Sequence, residues 1–249
     1  MPDPMHFEAH AALYDQARPP YPDALWTCLR EEHLLGVGTR VLELGAGTGL
    51  ATGPMLPAGA QVTAVEPGAR LAARLRAHWP SAEVRVATAE AVTLPDASFD
   101  LAVAATSVHW FDLDTVLPKV HRALRPGGRF AVWRNVFGDP SMPVSTFRER
   151  VAAITARRDD QAGRHASTEL DTEMWARRLI ATGHFVVRRI EHFRWVIDLD
   201  TEQTRALFTT FSNWTGEEVS EAADTVHELG GVVTEHYLTP LIILDRVHR

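Results

Sequence analysis

The chain is predicted to fold as an α/β protein with a mostly parallel sheet and helices on both faces. Three observations predict it. Short apolar runs bounded by glycine or proline recur between residues 40 and 133. Stretches of helical periodicity lie between them. The apolar runs are continuous rather than alternating, the pattern of strands covered on both faces. Strands alternating with helices build right-handed βαβ units, and hence a parallel sheet.

The elements follow in order. Residues 5–35 read as helical, interrupted at Arg18-Pro19-Pro20-Tyr21-Pro22, where proline stops one helix and Pro22 suits the first turn of the next. Gly36-Val37-Gly38 is expected to end that second helix. Residues 40–44 read as the first strand, followed by a glycine turn and a helical stretch. The second strand is expected at 61–66, then a helix over 68–78 with Leu71 and Leu75 on one face. Strands at 84–87 and 99–105 follow, then a helix over 113–124 closed by Pro126-Gly127-Gly128, then a fifth strand at 129–133. Beyond 140 the pattern predicts helices at 144–158 and 171–182 and a long strand within 185–199. It continues with two helices over 201–228 and a final strand within 231–247 centred on Leu241-Ile242-Ile243-Leu244. No linker rich in glycine, serine or charge divides the chain, so one domain spanning 1–249 is expected.

Composition narrows the function. Lys plus Arg is 25 and Asp plus Glu is 32, a net −7 that matches a polyphosphate partner poorly, so nucleic acid is not expected. Cys28 is the only cysteine, which excludes an intrachain disulfide and fits a reducing compartment. It reads as a small buried hydrophobe. Met1-Pro2-Asp3-Pro4-Met5-His6 lacks the charge and apolar run of a signal peptide. No run approaches the roughly 20 apolar residues that span a bilayer, so the expectation is a cytoplasmic protein away from membranes. Lys119 is the only lysine, which confines any Schiff-base or P-loop chemistry to that residue. The 12 histidines show no metal-ligand spacing, and His6 and His10 are the closest pair, so no metal is expected.

The most informative stretch is Glu43-Leu44-Gly45-Ala46-Gly47-Thr48-Gly49-Leu50. Glycine after a strand lets the backbone turn sharply and approach a ligand. The helix behind it is expected to present N–H groups and a positive dipole end, for a phosphate or an amino-acid carboxylate. The dinucleotide fingerprint needs glycine where Leu50 stands, and a P-loop needs a lysine. Glu66 follows 21 residues after Gly45, placed to accept from both hydroxyls of a ribose.

Taken together these residues resemble the class I S-adenosylmethionine-dependent methyltransferases, in the UbiE-like (type 11) branch that includes trans-aconitate methyltransferase-like proteins. Glu43 to Gly49 is similar to that family's first motif without a gap. Ala89 to Asp96 with Ser98-Phe99-Asp100 resembles its loop and fourth strand. His121-Arg122-Ala123-Leu124-Arg125-Pro126-Gly127-Gly128 resembles its helix-turn before strand five. Phe7, Tyr14 to Pro19 with Tyr21-Pro22, and His109-Trp110-Phe111-Asp112 look like that branch. The resemblance covers about residues 7–135.

It implies a Rossmann-like, seven-stranded, mostly parallel sheet, with a helical entry segment (1–36), a cofactor-binding core (37–135) and a substrate cap with final strands (136–249). It implies transfer of a methyl group from S-adenosylmethionine to a small-molecule acceptor, leaving S-adenosylhomocysteine. Gly45, Ala46, Gly47 and Gly49 would pass the methionine end, Glu43 would orient it, Glu66 would hold the ribose and Pro67 would flank the adenine. Ala89 and Glu90 would lie along the adenine edge, with Thr88 standing where many relatives carry aspartate. Thr106 ends the fourth strand, where α/β sheets bind ligands. Tyr14 and Arg18 share a helix face, either toward the cofactor carboxylate or packing the entry segment.

On the acceptor side His109 is the candidate proton acceptor, or else shapes the pocket. Trp110 and Phe111 are candidate walls, and Asp112 an N-cap. Phe208, Phe211 and Trp214 read either as a segment over the acceptor or as a core stripe. A non-catalytic S-adenosylmethionine-binding protein and a nicotinamide oxidoreductase remain the alternatives. A monomer or homodimer is expected.

Overall fold

The structure is a computed structural model that describes residues 13, 17–158, 171–211 and 213–247. Its contacts divide the chain into two compact units. The first comprises Pro20–Asn135, Asp171–Phe193 and Thr239–Arg249; the second comprises Met1–Pro19, Val136–Leu170 and Arg194–Leu238.

The first unit is built on five parallel strands, β1 (Arg40–Leu44), β2 (Gln61–Val65), β3 (Glu83–Arg85), β4 (Phe99–Ala105) and β5 (Leu124–Trp133), in the order β3-β2-β1-β4-β5. The last strand, β8 (Val232–Arg246), is antiparallel to β5, with Arg129 opposite Asp245 and Trp133 opposite Leu241. Residues 41–44 of β1 and 62–65 of β2 are buried throughout, because helices cover both faces. One face packs Leu42, Leu44, Phe130 and Val132 against α4 (Leu113–Ala123) and α6 (Thr172–Ile180). The other packs Val41, Val103, Ala131 and Trp133 against α1 (Asp23–Glu31) and Met55. Each such side chain contributes about 1.5–3 kcal/mol when fully buried. Between β2 and β3 runs α3 (Ala69–His78), with Leu71 and Leu75 inward. The seven expected strands are present as β1–β5, β7 (Phe185–Asp200) and β8.

Several local expectations are corrected. The predicted helix at 5–16 lies almost wholly outside the described residues. Helix α1 ends at Glu31 rather than at Gly36, because His33 takes a left-handed φ of 55° and the Leu34 N–H turns back to the Leu29 carbonyl. Pro22 is its N-cap. The helical stretch after the glycine turn is a single turn, α2 (Thr52–Met55). Strand β5 starts directly after α4, so Pro126-Gly127-Gly128 lies within the strand rather than ending the helix. The β4–β5 register shifts there, between Phe99 and Leu101.

The second unit packs α5 (Thr146–Ala156), α7 (Thr201–Thr209) and α8 (Gly216–Glu228) around Phe147, Ile154, Leu207, Phe208, Ala222 and Val226. Capping boxes start two of these helices: Asp200 with Gln203, and Thr215 with Glu218. An unpredicted two-residue strand, β6 (Val136–Phe137), pairs with Leu238 and Tyr237 of β8.

Candidate functional site

The glycine turn stands at the carboxyl end of β1, where an open α/β sheet presents its crevice. Its backbone is fastened from within. Gly45 and Ala46 donate their N–H groups to the Val65 carbonyl at 2.8 and 3.1 Å, and Gly49 donates to Ala46 at 3.0 Å. Gly47 donates to Glu66 Oε2 at 2.8 Å. The turn thus spends those four donors internally. The expected helix dipole behind it is corrected, because α2 is a single turn, too short to carry one. The glycines are required by this packing. Gly45 has φ +68°, and a Cβ there would sit 2.5 Å from Ser107 Cβ. Gly49 has φ +94°, with Trp79 2.7 Å from its Cβ position.

Two carboxylates line this turn. Glu66 closes β2, is 6% exposed, and accepts from Gly68 N–H through Oε1 at 2.8 Å as well as from Gly47. Glu43 is 1% exposed and, among the described residues, accepts from the Thr52 hydroxyl at 2.5 Å. Burial pushes its carboxyl up to about 8, against the pull of Thr52 and with the help of neighbouring Glu66. At pH 7 Glu43 is mostly protonated.

The residues assigned to the adenine side are partly committed. Thr88 is exposed, and its hydroxyl accepts from Ala91 N–H at 3.2 Å, capping a local turn. Ala89 is buried, Pro67 exposed, and Glu90 Oε1 accepts from Asp112 N–H at 3.0 Å. Lys119 donates to the carbonyls of Glu90 and Val92, which anchors the 88–92 turn and gives the lone lysine a structural task. Asp112 is the N-cap of α4, accepting from Asp114 N–H.

Thr106 ends β4 with a φ of 60°, an unusual conformation for a β-branched residue. It is held by its N–H on the Trp133 carbonyl (2.7 Å) and by its hydroxyl against the Tyr21 hydroxyl (2.9 Å). Ser107 follows, buried, its hydroxyl on the Leu44 carbonyl at 2.7 Å. Next comes a short turn, Val108–Trp110, on which the His109 and Trp110 rings lie 4.9 Å apart. Phe111 reaches within 3.7 Å of the Gly45 Cβ position. The first unit thus brings together Glu43, the glycine turn, Glu66, Thr106 and Phe111.

Arg18, Phe211 and Trp214 belong to the second unit. Arg18 donates to the Thr210 carbonyl at 3.0 Å and lies over the Phe211 ring at 4.8 Å. Phe211 and Trp214 pack on Phe208, at 5.2 and 4.5 Å between rings, as part of that unit's aromatic core. Tyr14 lies outside the described residues. Ser107, Thr52 and Trp79 have no motif that sequence reading could recognise.

The family model described as "Methyltransferase domain" matches residues 42–132, the stretch from β1 to β5 that carries this turn. An uncharacterized methyltransferase of Mycobacterium tuberculosis is 38% identical over 130 residues, 52% of this chain and 52% of its own length. The chain thus spans about half the length of the curated relatives it matches first. Among solved structures, a protein of Anaeromyxobacter dehalogenans described as a candidate type II methyltransferase aligns over 92% of this chain and 97% of its own. Its TM-score is 0.60 at 24% identity. The (4+2)-cyclase SpnF aligns over 96% of this chain and 94% of its own, with a TM-score of 0.59 at 18% identity. These likenesses show the Rossmann-like fold. The cyclase among them is a reminder that the fold alone does not choose the reaction.

Proposed function

We propose that this chain transfers a methyl group from S-adenosylmethionine to a small-molecule acceptor. The observation that carries this reading is the chemistry of the turn. Four of its N–H donors are spent internally, while two buried carboxyl groups stand beside it. A dinucleotide pyrophosphate needs donors. A sulfonium nucleoside brings an ammonium group, a sulfonium and ribose hydroxyls, and needs acceptors and negative charge. The residues present fit the second and not the first, which argues against the nicotinamide alternative.

When bound, this cofactor would supply an electrophilic methyl on a positively charged sulfur. Glu66 would accept the ribose hydroxyls, its carboxylate already oriented by Gly47 and Gly68. Glu43 would ionise beside the ammonium group and release its proton. Phe111, close to Gly45, would exclude water, and Trp110 would wall the acceptor side. His109 would take the acceptor's proton. Transfer from a sulfonium needs little more than in-line placement.

Calorimetry with S-adenosylhomocysteine tests the reading. The wild type should bind and Glu66→Ala should bind at least tenfold more weakly, with NAD giving no heat. Wild-type protein that takes NAD and ignores S-adenosylhomocysteine would reverse the assignment. Among the described residues no helix is long and apolar enough to cross a membrane. A cytoplasmic protein, monomeric or homodimeric and without a nucleic-acid partner, completes the reading.

A further inference from the structure

At the carboxyl ends of β4 and β5 a crevice of about 20 Å³ opens between Thr106, His109, Arg134, Thr172 and Trp175. Its floor includes Val132 and Ile242, and all these residues belong to the first unit. That volume is enough for a water-sized group. Trp175, on α6, is 6% exposed, and its indole Nε1 is buried without a hydrogen-bond partner among the described residues. The Arg178 guanidinium lies over its ring at 4.5 Å, so the ring is held. Buried donors are nearly always paired, and one left over beside a small cavity needs an explanation. Trp133 also lines the crevice, but its ring lies on the opposite face of the sheet against Tyr21 and Trp26. The strained Thr106, fixed by Tyr21 and Trp133, forms the crevice rim, and such strain gathers at ligand sites.

Resting on the methyltransferase reading, we propose that this crevice binds a carbonyl or carboxylate oxygen of the methyl acceptor, with the Trp175 indole N–H as its hydrogen-bond donor. An indole nitrogen donates and cannot accept, so its partner carries a lone pair and is not an ammonium. The space is large enough for an oxygen. Arg134 on the lining favours a negative or strongly polarised oxygen over a neutral apolar group. Trp175 is then an acceptor-recognition residue, selecting acids and carbonyl compounds over amines.

The test is nuclear magnetic resonance of the tryptophan indole N–H groups in protein saturated with S-adenosylhomocysteine. The Trp175 signal is assigned through bonds and checked by its absence in Trp175→Phe. Benzoate and acetophenone are the oxygen probes, and benzylamine is the control. The expected result is a saturable shift of the Trp175 signal with at least one oxygen probe and none with benzylamine. A signal indifferent to both oxygen probes, as for an indole bonded to a resident water, overturns the proposal. So does an equal response to benzylamine. A second measurement needs no probe guess: labelled methyl is offered to a library of carboxylates, ketones, amines and thiols. Acceptors confined to oxygen-bearing compounds, with Trp175→Phe raising KM at least tenfold at less than twofold change in kcat, support the assignment; amine acceptors refute it. Calorimetry with S-adenosylhomocysteine on both proteins keeps the readings apart. If that nucleoside does not bind, the methyltransferase reading fails, while the indole response still reports on the crevice.

Discussion

Two regions of this protein bury carboxyl groups, and they treat them differently. At the glycine turn of the first unit, Glu66 is stitched to two backbone N–H groups at 2.8 Å each, and Glu43 to a hydroxyl at 2.5 Å. In the second unit Glu235, 1% exposed, faces Arg148 at 3.5 Å, too far for a hydrogen bond. Tyr237, two residues on along the same face of β8, is buried with no partner for its hydroxyl among the described residues. The Arg148 guanidinium itself lies across Gly138 and over the Phe137 ring at 4.8 Å. The turn is therefore a finished, rigid piece of backbone, whereas the Glu235 region holds polar groups whose partners are loosely met. Rigidity of the first kind is what a binding loop requires before its ligand arrives.

The sharpest way to break this comparison is at the two glycines. Gly45→Ala places a methyl 2.5 Å from the packed Ser107 side chain at φ +68°, and should cost about 3–5 kcal/mol of stability. Gly138→Ala also meets a clash, but with the far end of the flexible Arg148 side chain, and should cost about 1–2 kcal/mol, chiefly from its φ of +83°. Equal losses in chemical denaturation would remove the distinction.

Smaller effects follow from pH. A carboxyl raised in the folded state stays protonated there while the unfolded chain ionises, so stability falls as pH rises from the ordinary carboxylate range through the raised value. For Glu43 that window runs up to about 8. For Glu235, raised by burial against the pull of Arg148, it ends at about 7. Glu43→Gln should shrink the stability difference between pH 5 and pH 8.5 by about 3 kcal/mol. Glu235→Gln should shrink it by about 2 kcal/mol, with its whole effect complete by pH 7.5. Melting curves across that range check both, and a Glu43 variant with an unchanged pH slope would mean that its carboxyl is ionised in the fold. If Glu43 releases its proton to solvent when an ammonium group binds beside it, S-adenosylhomocysteine should also bind more tightly at pH 8 than at pH 6.

The sheet was legible in the sequence because continuous apolar strands and helical periodicity are local signals. The glycine turn and Glu66 were legible for the same reason: they are consecutive or evenly spaced. The bonding of the turn's own N–H groups is not legible, because it depends on Val65 and Glu66, one strand away, and no spacing reveals which acceptor a turn will meet. The end of α1 was misplaced because His33, not glycine, adopts the left-handed conformation there. Trp175 left no mark as a site residue, since an indole on an amphipathic helix reads as core until its nitrogen is seen without a partner.

Lys119 carries the only lysine side-chain amine of the protein, and it is tied to the carbonyls of Glu90 and Val92 in the 88–92 turn. Side-chain acylation of this molecule therefore reports on one site, read apart from the α-amino group by peptide mapping. Mild acylation at rising reagent concentration would measure how often that turn lets go, and protection on adding a nucleoside would time its closure without any engineered label.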